Sequence, residues 1–437
     1  MHTGTSGGPL VRGSSPAGLL GVAFLGRNLV VGGAERVFLH YVGSAYAVRP
    51  VVVLRRREGG LLADLAPDIP VYDLKYRDPV REARYGPHDD AITVPDPPTG
   101  FTLRSLIELV QESRRLRRVV RSTGCTVVSS FLMRAHIIAL LTKRFLLPDL
   151  CVVVNVHNHT SESEPHLYPT RTDRFLLRWV VRHLFPVADR IVVVAESLAE
   201  DLVLSFGIDR QSITVVHNPI HLAGIRDAAQ ADAPELAAIE GRPLIVAVGR
   251  LARVKGFDLL VEAMKGFSDA DPTQLVIVGD GPERAELTAL AERLGVAHRV
   301  HFLGMQSNPW KFMSRATLLA LPSRTEAFPN VIGEALALGV PVVAADCTAG
   351  IREYLDDGRC GVLVEPNDVE ALERGLARLL DDSTLREDLG IRGRKRMERL
   401  DLPHVVRRYE DTLRSAAGLA PLTGARPAPP PSSSPAE

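Results

Sequence analysis

Two carboxylates, Glu326 and Glu334, stand with seven residues between them in the stretch Glu-Ala-Phe-Pro-Asn-Val-Ile-Gly-Glu. The apolar run 317–321 before them reads as a buried strand, and 331–338 reads as a helix. Glu326 is then expected in the loop at the strand's C-terminal edge. Glu334 is expected roughly two turns into the helix, about 10 Å further along its axis. In an open α/β sheet that edge is where ligands bind. Two acceptors so placed can grip two polyol groups of one extended ligand, such as a sugar and a ribose. An ordinary loop glutamate and a solvated helix glutamate would be spelled the same way, so the neighbours must decide.

The nearest chemistry is cationic. Gly249-Arg250-Leu251-Ala252-Arg253-Val254-Lys255-Gly256 follows an expected strand at 244–248 and precedes a helical run from Phe257. Arginine there can fork onto phosphate oxygens and lysine acts as a point charge, although a solvated basic loop would look alike. The Walker spacing is absent. Strand 275–278 runs into Gly279-Asp280-Gly281-Pro282, whose glycines allow close backbone approach and whose proline suits a first helical turn. A tight structural turn reads the same. Near the N-terminus, strand 21–25 leads through Arg27 and Asn28 to Gly32-Gly33-Ala34-Glu35 at a helix start. Paired glycines at such a start can admit a phosphate against backbone N–H groups, although the full G-x-G-x-x-G is missing. Strand 151–155 delivers His157 to the same kind of edge. His157-Asn158-His159 lacks acidic or cysteine partners at ligand spacing, so no metal is expected. Asp269-Ala270-Asp271 follows a helix rather than a strand and reads as a turn, not a metal-binding D-x-D.

These pieces need a scaffold. At 437 residues the chain exceeds what one core supports, and 46% hydrophobic residues suffice for two. Short apolar runs at 21–25, 50–54, 69–73, 126–129, 151–155, 191–194 and 213–216 alternate with helical patterns. The second half repeats this at 244–248, 275–278, 300–303, 317–321, 340–344 and 362–364. Such alternation predicts α/β architecture, with two Rossmann-like domains of parallel sheet facing across a cleft. The expected division is a tail at 1–18, an acceptor-side domain at 19–222, a donor-binding domain at 223–400, a C-terminal helix at 401–418 packing back on the first domain, and a Pro/Ser-rich disordered tail at 419–437. The weakly patterned stretch 221–241 marks the boundary, and the polar stretch 76–100 reads as an insertion or long loop.

Lys plus Arg and Asp plus Glu both number 52, so no global charge calls for nucleic acid. Cys125, Cys151, Cys347 and Cys360 form no C-x-x-C pair, which argues against a disulfide framework or zinc site and for a reducing cytoplasm. The first 18 residues resemble neither signal peptide nor anchor, and no run approaches a spanning length. Membrane contact, if any, is expected to be peripheral. Arg171, Arg174, Arg178 and Arg182 fall on one face of a helix at 170–185, with Phe175, Leu176, Trp179, Val180 and Leu184 on others. Arg104, Arg114, Arg115, Arg117, Arg118 and Arg121 load a second helix in the same half. A basic amphipathic face suggests an anionic membrane surface, from which a lipid-linked acceptor could be reached. Solvated arginine-rich helices would show the same stripe.

In order along the chain, Gly32-Gly33-Ala-Glu, His157, Asn218-Pro219, Gly249-Arg-Leu…Lys255-Gly, Gly279-Asp-Gly-Pro, Glu326 to Glu334 with Ala-Phe-Pro-Asn between, and Pro341…Asp346…Gly350-Ile-Arg-Glu353 resemble a retaining GT-B-fold glycosyltransferase of the family 4, or group 1, type. The resemblance covers about 20–415 and departs at Ile351, where proline is common, and in the stretch 76–100. It implies that Arg250 and Lys255 neutralise the diphosphate of a nucleotide-sugar donor and that Glu326 binds the transferred sugar. It implies backbone contacts to the phosphates from Phe328, Pro329, Asn330 and Val331, with Gly32, Gly33 and Gly281 around them. Glu334 would hold the ribose, Gly304 and Met305 would meet the base, and His157 would touch the donor sugar or order the acceptor. The leaving phosphate would take the acceptor's proton. Neither metal nor cofactor is implied. The implied activity is transfer of a hexose or N-acetylhexosamine, from a UDP-sugar by preference, to a glycan, glycolipid or lipid-linked acceptor in cell-surface polysaccharide biosynthesis. A GDP-mannose-dependent mannosyltransferase, a sugar-nucleotide epimerase, a phosphorylase and a catalytically silent subunit are the competing readings. The four site residues Arg250, Lys255, Glu326 and Glu334 argue against the last.

Overall fold

The computed structural model describes residues 19–29, 32–76, 78–82, 103–161, 168, 170–268 and 270–422, with side chains undescribed at 81–82 and 103–104. The expected N-terminal tail, residues 423–437 of the expected C-terminal tail and most of the stretch 76–100 lie outside the described residues, as does Asp269.

Two parallel sheets form. The first contains β1 (Leu20–Gly26), β2 (Val48–Leu54), β3 (Val71–Asp73), β4 (Val127–Phe131), β5 (Cys151–Val156), β6 (Arg190–Val193) and β7 (Ile213–Val215) in the order β3-β2-β1-β4-β5-β6-β7. The second contains β8 (Leu244–Val248), β9 (Gln274–Val278), β10 (Val300–Gly304), β11 (Leu318–Leu321), β12 (Val342–Ala345) and β13 (Val362–Val364) in the order β10-β9-β8-β11-β12-β13. Every one of the thirteen apolar runs is a strand, with ends displaced by two residues at most. The reason is burial on both faces: β1, β4, β5, β9, β11 and β12 are buried at every position, which selects continuous Val, Ile, Leu and Ala runs. Strand order reverses at β1/β4 and at β8/β11, the two switch points where a doubly wound sheet opens a crevice at its C-terminal edge. The loops after β8 and β11 carry Arg250 and Glu326.

One position differs from expectation. The helix after β11 spans Asn330–Leu338, starting directly behind Pro329, so Glu334 is its fifth residue. That sets Glu334 just over one turn in, about 6 Å along the axis, rather than two turns.

The last helix, Leu402–Ala416, leaves the second sheet and packs on the first. Val405, Val406, Tyr409 and Leu413 share a core with Phe24, Phe38 and Tyr41, and the Tyr41 and Tyr409 rings stack at 3.8 Å. Its turn is tied to the interdomain segment by Ile220 N–H donating to Leu400 O at 2.8 Å and Leu402 N–H to Ile220 O at 2.9 Å. Within this core Glu410 is fully buried and accepts the Tyr46 and Ala47 N–H groups at 2.8 and 2.7 Å. Glu410→Ala strands both donors, so it should lower unfolding free energy by about 3 kcal/mol in a denaturant titration. A loss under 1 kcal/mol would contradict this geometry.

Candidate active site

The loop after β8 is held by its neighbour after β9. Gly249 N–H donates to Val278 O at 2.9 Å, Leu251 N–H to Asp280 O at 3.0 Å, and Glu283 N–H to Leu251 O at 3.1 Å. Contact is so close that a Cβ at Gly279 (φ +143°) would lie 1.9 Å from Gly249 O, and one at Gly281 would lie 2.3 Å from Leu251 O. Both glycines are therefore required by backbone packing, whatever ligand they also meet. Gly256 (φ +65°) does the same on the other side, where a Cβ would lie 2.1 Å from Pro322 O. These approaches bring the cation loop against the segment after β11.

There Lys255 Nζ meets Glu326 Oε1 at 2.5 Å, and Ser323 Oγ donates to the same oxygen at 2.8 Å. Both contacts engage one carboxylate oxygen. The segment is braced by Arg324, which forks onto both oxygens of Asp258 at 2.7 Å and donates its N–H to Val254 O at 2.8 Å. Arg250 points from the same loop as an exposed side chain. Phe328 stacks on Tyr354 at 3.8 Å, and a Cβ at Gly350 would lie 1.8 Å from Ala327 O, so the Ala327–Phe328 turn is locked from behind.

The first sheet closes the site from the opposite wall. The helix Gly33–Ser44 begins with exposed Gly33, and the nearest atom to a Cβ there is Asn330 Nδ2 at 3.9 Å. The N-termini of this helix and of Asn330–Leu338 thus meet, each presenting the positive end of its dipole. Asn218 from the interdomain segment fixes the junction, donating Nδ2 to Asn330 Oδ1 at 2.7 Å and to Phe328 O at 3.3 Å.

Glu334 receives Trp310 Nε1–H on Oε2 at 3.0 Å. Burial pushes its carboxyl above the ordinary range, with Arg36 and the Trp310 bond pulling it back. Gly304 (φ +69°) ends β10 and its carbonyl accepts Gly279 N–H at 2.8 Å, leaving Met305 63% exposed beyond it. His157 follows β5 and stacks on Phe131 at 5.5 Å. Its Nε2 is buried without a hydrogen-bond partner, and burial lowers its pKa to about 4. The imidazole is accordingly neutral at ordinary pH, suited to a hydrogen bond and not to a charge.

Lys255, Glu326, Asn330, Gly33 and the loops bearing Arg250 and Gly281 are brought together, with Glu334 one turn behind. Ser323, Arg324 and Trp310 were not visible in the sequence as site residues. Arg324 and Trp310 find their partners 66 and 24 residues away, beyond any local pattern, whereas the Ser323–Glu326 contact spans only 3 residues and was a local signal missed. Among the described residues no three His, Cys, Asp or Glu side chains group to hold a metal ion.

Residues 31–223 match the family model described as Glycosyltransferase Family 4, and 229–396 match Glycosyl transferases group 1. The chain is 29% identical over 293 residues to the N-acetylgalactosamine-N,N'-diacetylbacillosaminyl-diphospho-undecaprenol 4-alpha-N-acetylgalactosaminyltransferase of Campylobacter jejuni, covering 67% of this chain and 77% of that protein. It is 27% identical over 300 residues to the alpha-D-kanosaminyltransferase of Streptomyces kanamyceticus, covering 65% and 74%. Among solved structures, Anabaena HepE in complex with UDP superposes with a TM-score of 0.72 at 18% identity, over 91% of this chain and 100% of that one, a likeness of fold. Two crevice-bearing sheets and paired family matches along both halves place this chain among the GT-B glycosyltransferases of the group 1/family 4 type.

Proposed function

We propose that this enzyme is a retaining transferase that moves a hexose or N-acetylhexosamine from a UDP-sugar to a glycan, glycolipid or lipid-linked acceptor, with neither metal nor cofactor. The observation that carries the reading is the Lys255–Glu326 pair at 2.5 Å beside two converging helix N-termini. As the glycosidic bond breaks, negative charge grows on the leaving diphosphate. Lys255, Arg250 and the N–H groups of Gly33, Phe328, Asn330 and Val331 would stabilise that charge. Glu326 accepts hydroxyls of the sugar while Lys255 and Ser323 hold its other side. Glu334, oriented by Trp310, takes the ribose. Gly304 and Met305 border the base, and Gly281 lines the phosphates. Neutral His157 offers Nε2 to the donor sugar or the acceptor. The acceptor oxygen attacks from the leaving group's face, its proton passes to the departing phosphate oxygen, and the anomeric configuration is kept. Support for UDP comes from the HepE complex, and for a lipid-linked acceptor from the name of the C. jejuni relative.

A panel of UDP- and GDP-sugars tests this. At about a hundred-fold excess over Kd the cognate donor should stabilise the fold by about 2.7 kcal/mol. The transferred sugar should keep its anomeric configuration by NMR. Stabilisation by GDP-mannose alone would replace the UDP assignment, and an inverted product would end the retaining one.

The reading extends to a peripheral seat on the inner face of a membrane. Among the described residues no helix is long and apolar enough to cross a membrane. The helix Arg171–Leu184 buries Leu177, Val180 and Val181 and leaves Phe175 67% and Trp179 52% exposed beside Arg171, Arg178 and Arg182. The two aromatics that the sequence placed on separate faces from the arginines are thus offered outward along with them. The protein should co-float with anionic vesicles at low salt, and Phe175→Ala with Trp179→Ala should abolish this. No flotation of the unaltered protein would remove the membrane from the account.

A further inference from the structure

The helix Gly33–Ser44 carries Gly33, Arg36 and His40 at spacings of three and four, which puts them on one side. Two of the three are fixed against the second half of the molecule. Gly33 faces Asn330, a Cβ there lying 3.9 Å from Asn330 Nδ2. The His40 ring meets the His221 ring edge to face, with centroids 6.3 Å apart. Arg36 lies between these two points. Glu334 holds the matching place on the opposite helix, four residues past Asn330 as Arg36 is three past Gly33. The electrostatics agree with this ladder. Burial and His221, then Arg36, push His40 down to about 4, and burial raises Glu334 while Arg36 pulls it back.

Arg36 is half-buried, and among the described residues its guanidinium donates no hydrogen bond and forms no ion pair. Glu334 acts on it without pairing, its Oε2 being engaged by Trp310 Nε1–H at 3.0 Å. The neighbouring acid, Glu35, turns the other way. A Cβ at Gly32 would lie 2.3 Å from Glu35 Oε2, and Arg27 is the cation that acts on that carboxylate. A cation partly withdrawn from water without a counter-ion costs free energy that an arriving anion recovers. Side chains on a helix lean toward its N-terminus, so the guanidinium reaches over the turn that carries Gly33. Two helix dipoles already converge there.

We propose that Arg36 is a phosphate-binding residue of the donor site, supplied by the first domain, that forks onto the phosphate attached to the nucleoside while Glu334 takes the adjoining ribose. The proposal rests on the donor reading given above. With the ribose at Glu334, the phosphate next to it is the one within reach of the facing arginine, and a guanidinium grips two of its oxygens at once. The nucleotide is then held by its ribose from one sheet's helix and by its first phosphate from the other's.

Calorimetric titration of the full chain with UDP, UMP and uridine tests this. Arg36→Gln should weaken UDP and UMP by about tenfold or more, the loss expected for hydrogen bonds to a charged group, and leave uridine unchanged. Arg36→Lys keeps the charge and loses the fork, so its affinities for UDP and UMP should fall between those of Arg36→Gln and wild type. Equal losses for UDP and uridine in Arg36→Gln would make the arginine a prop of the ribose pocket or of the fold, and would overturn the proposal. Wild-type affinity for UDP in Arg36→Gln would overturn it too, while leaving the transferase reading intact. If the unaltered protein binds GDP and not UDP, the same series with GDP, GMP and guanosine decides the role of Arg36. If it binds neither nucleoside diphosphate, the donor reading fails and takes this one with it.

Discussion

Lys255→Ala should lower kcat by about 10² to 10³, the loss typical of deleting one preorganised group at developing charge. The lysine sits where a diphosphate would be flanked by two helix N-termini, and its partner Glu326 is only 10% exposed at the side chain. Glu326→Gln should fall comparably in kcat while UDP affinity stays within threefold, since in the proposed function the glutamate meets the sugar and not the nucleotide. Lys255→Ala should weaken UDP as well, because that charge meets phosphate in the ground state too. The paired variants separate chemistry from folding: Gln at 326 keeps an oxygen for Ser323 Oγ–H at the 2.8 Å contact. Transfer rates within threefold of wild type in both variants would remove the mechanism.

The second large effect is acid lability. Burial lowers His136 to about 3, and lowers His40 and His157 to about 4, from an ordinary 6.5. His221 and Arg36 add to the burial at His40, and His157 adds to it at His136. A group depressed in the fold is protonated first in the unfolded chain. Its stabilising contribution is complete above pH 6.5 and drains away as pH falls toward the folded value. With three such groups, stability should drop by up to about 4 kcal/mol per pH unit once pH is well below 6.5. Glu35, Asp73 and Glu334 are raised by burial, take up protons in the fold above the ordinary carboxylate range, and so act with the opposite sign and offset part of this fall. Melting temperature measured from pH 7.5 to 4.5 should therefore be level at first and then fall steeply. A level profile down to pH 4.5 would refute the buried, neutral state of these histidines.

Strand identity was legible because the central strands are buried on both faces, so their composition announces them, while the edge strands β3, β7, β10 and β13 are only partly buried. Register, order and helix starts were less so. The expected two turns before Glu334 over-counted the helix: a start at Asn330 or at Val331 alike leaves the glutamate about one turn in, and the start itself is set by Pro329 and by Asn218 reaching Asn330 from 112 residues away. The stripe of Arg171, Arg174, Arg178 and Arg182 followed from helical spacing, yet the outward turn of Phe175 and Trp179 did not. Which apolar residues a helix buries depends on the neighbours it packs against, here the residues that receive Leu177, Val180 and Val181.

What the chain by itself determined is the inventory: thirteen strands, a cation loop after β8, a carboxylate loop after β11, and glycines before two helices. Local composition suffices for these, because burial and turn geometry act on neighbouring residues. The tertiary structure alone decided which pieces meet. The Lys255–Glu326 pair joins residues 71 apart, and Gly33 faces Asn330 from the other sheet. It also showed that the glycines at 279 and 281 are demanded first by backbone contact with Gly249 and Leu251. Contacts of that span are written in how two sheets close on each other, a property of the packed volume that no short window of sequence contains.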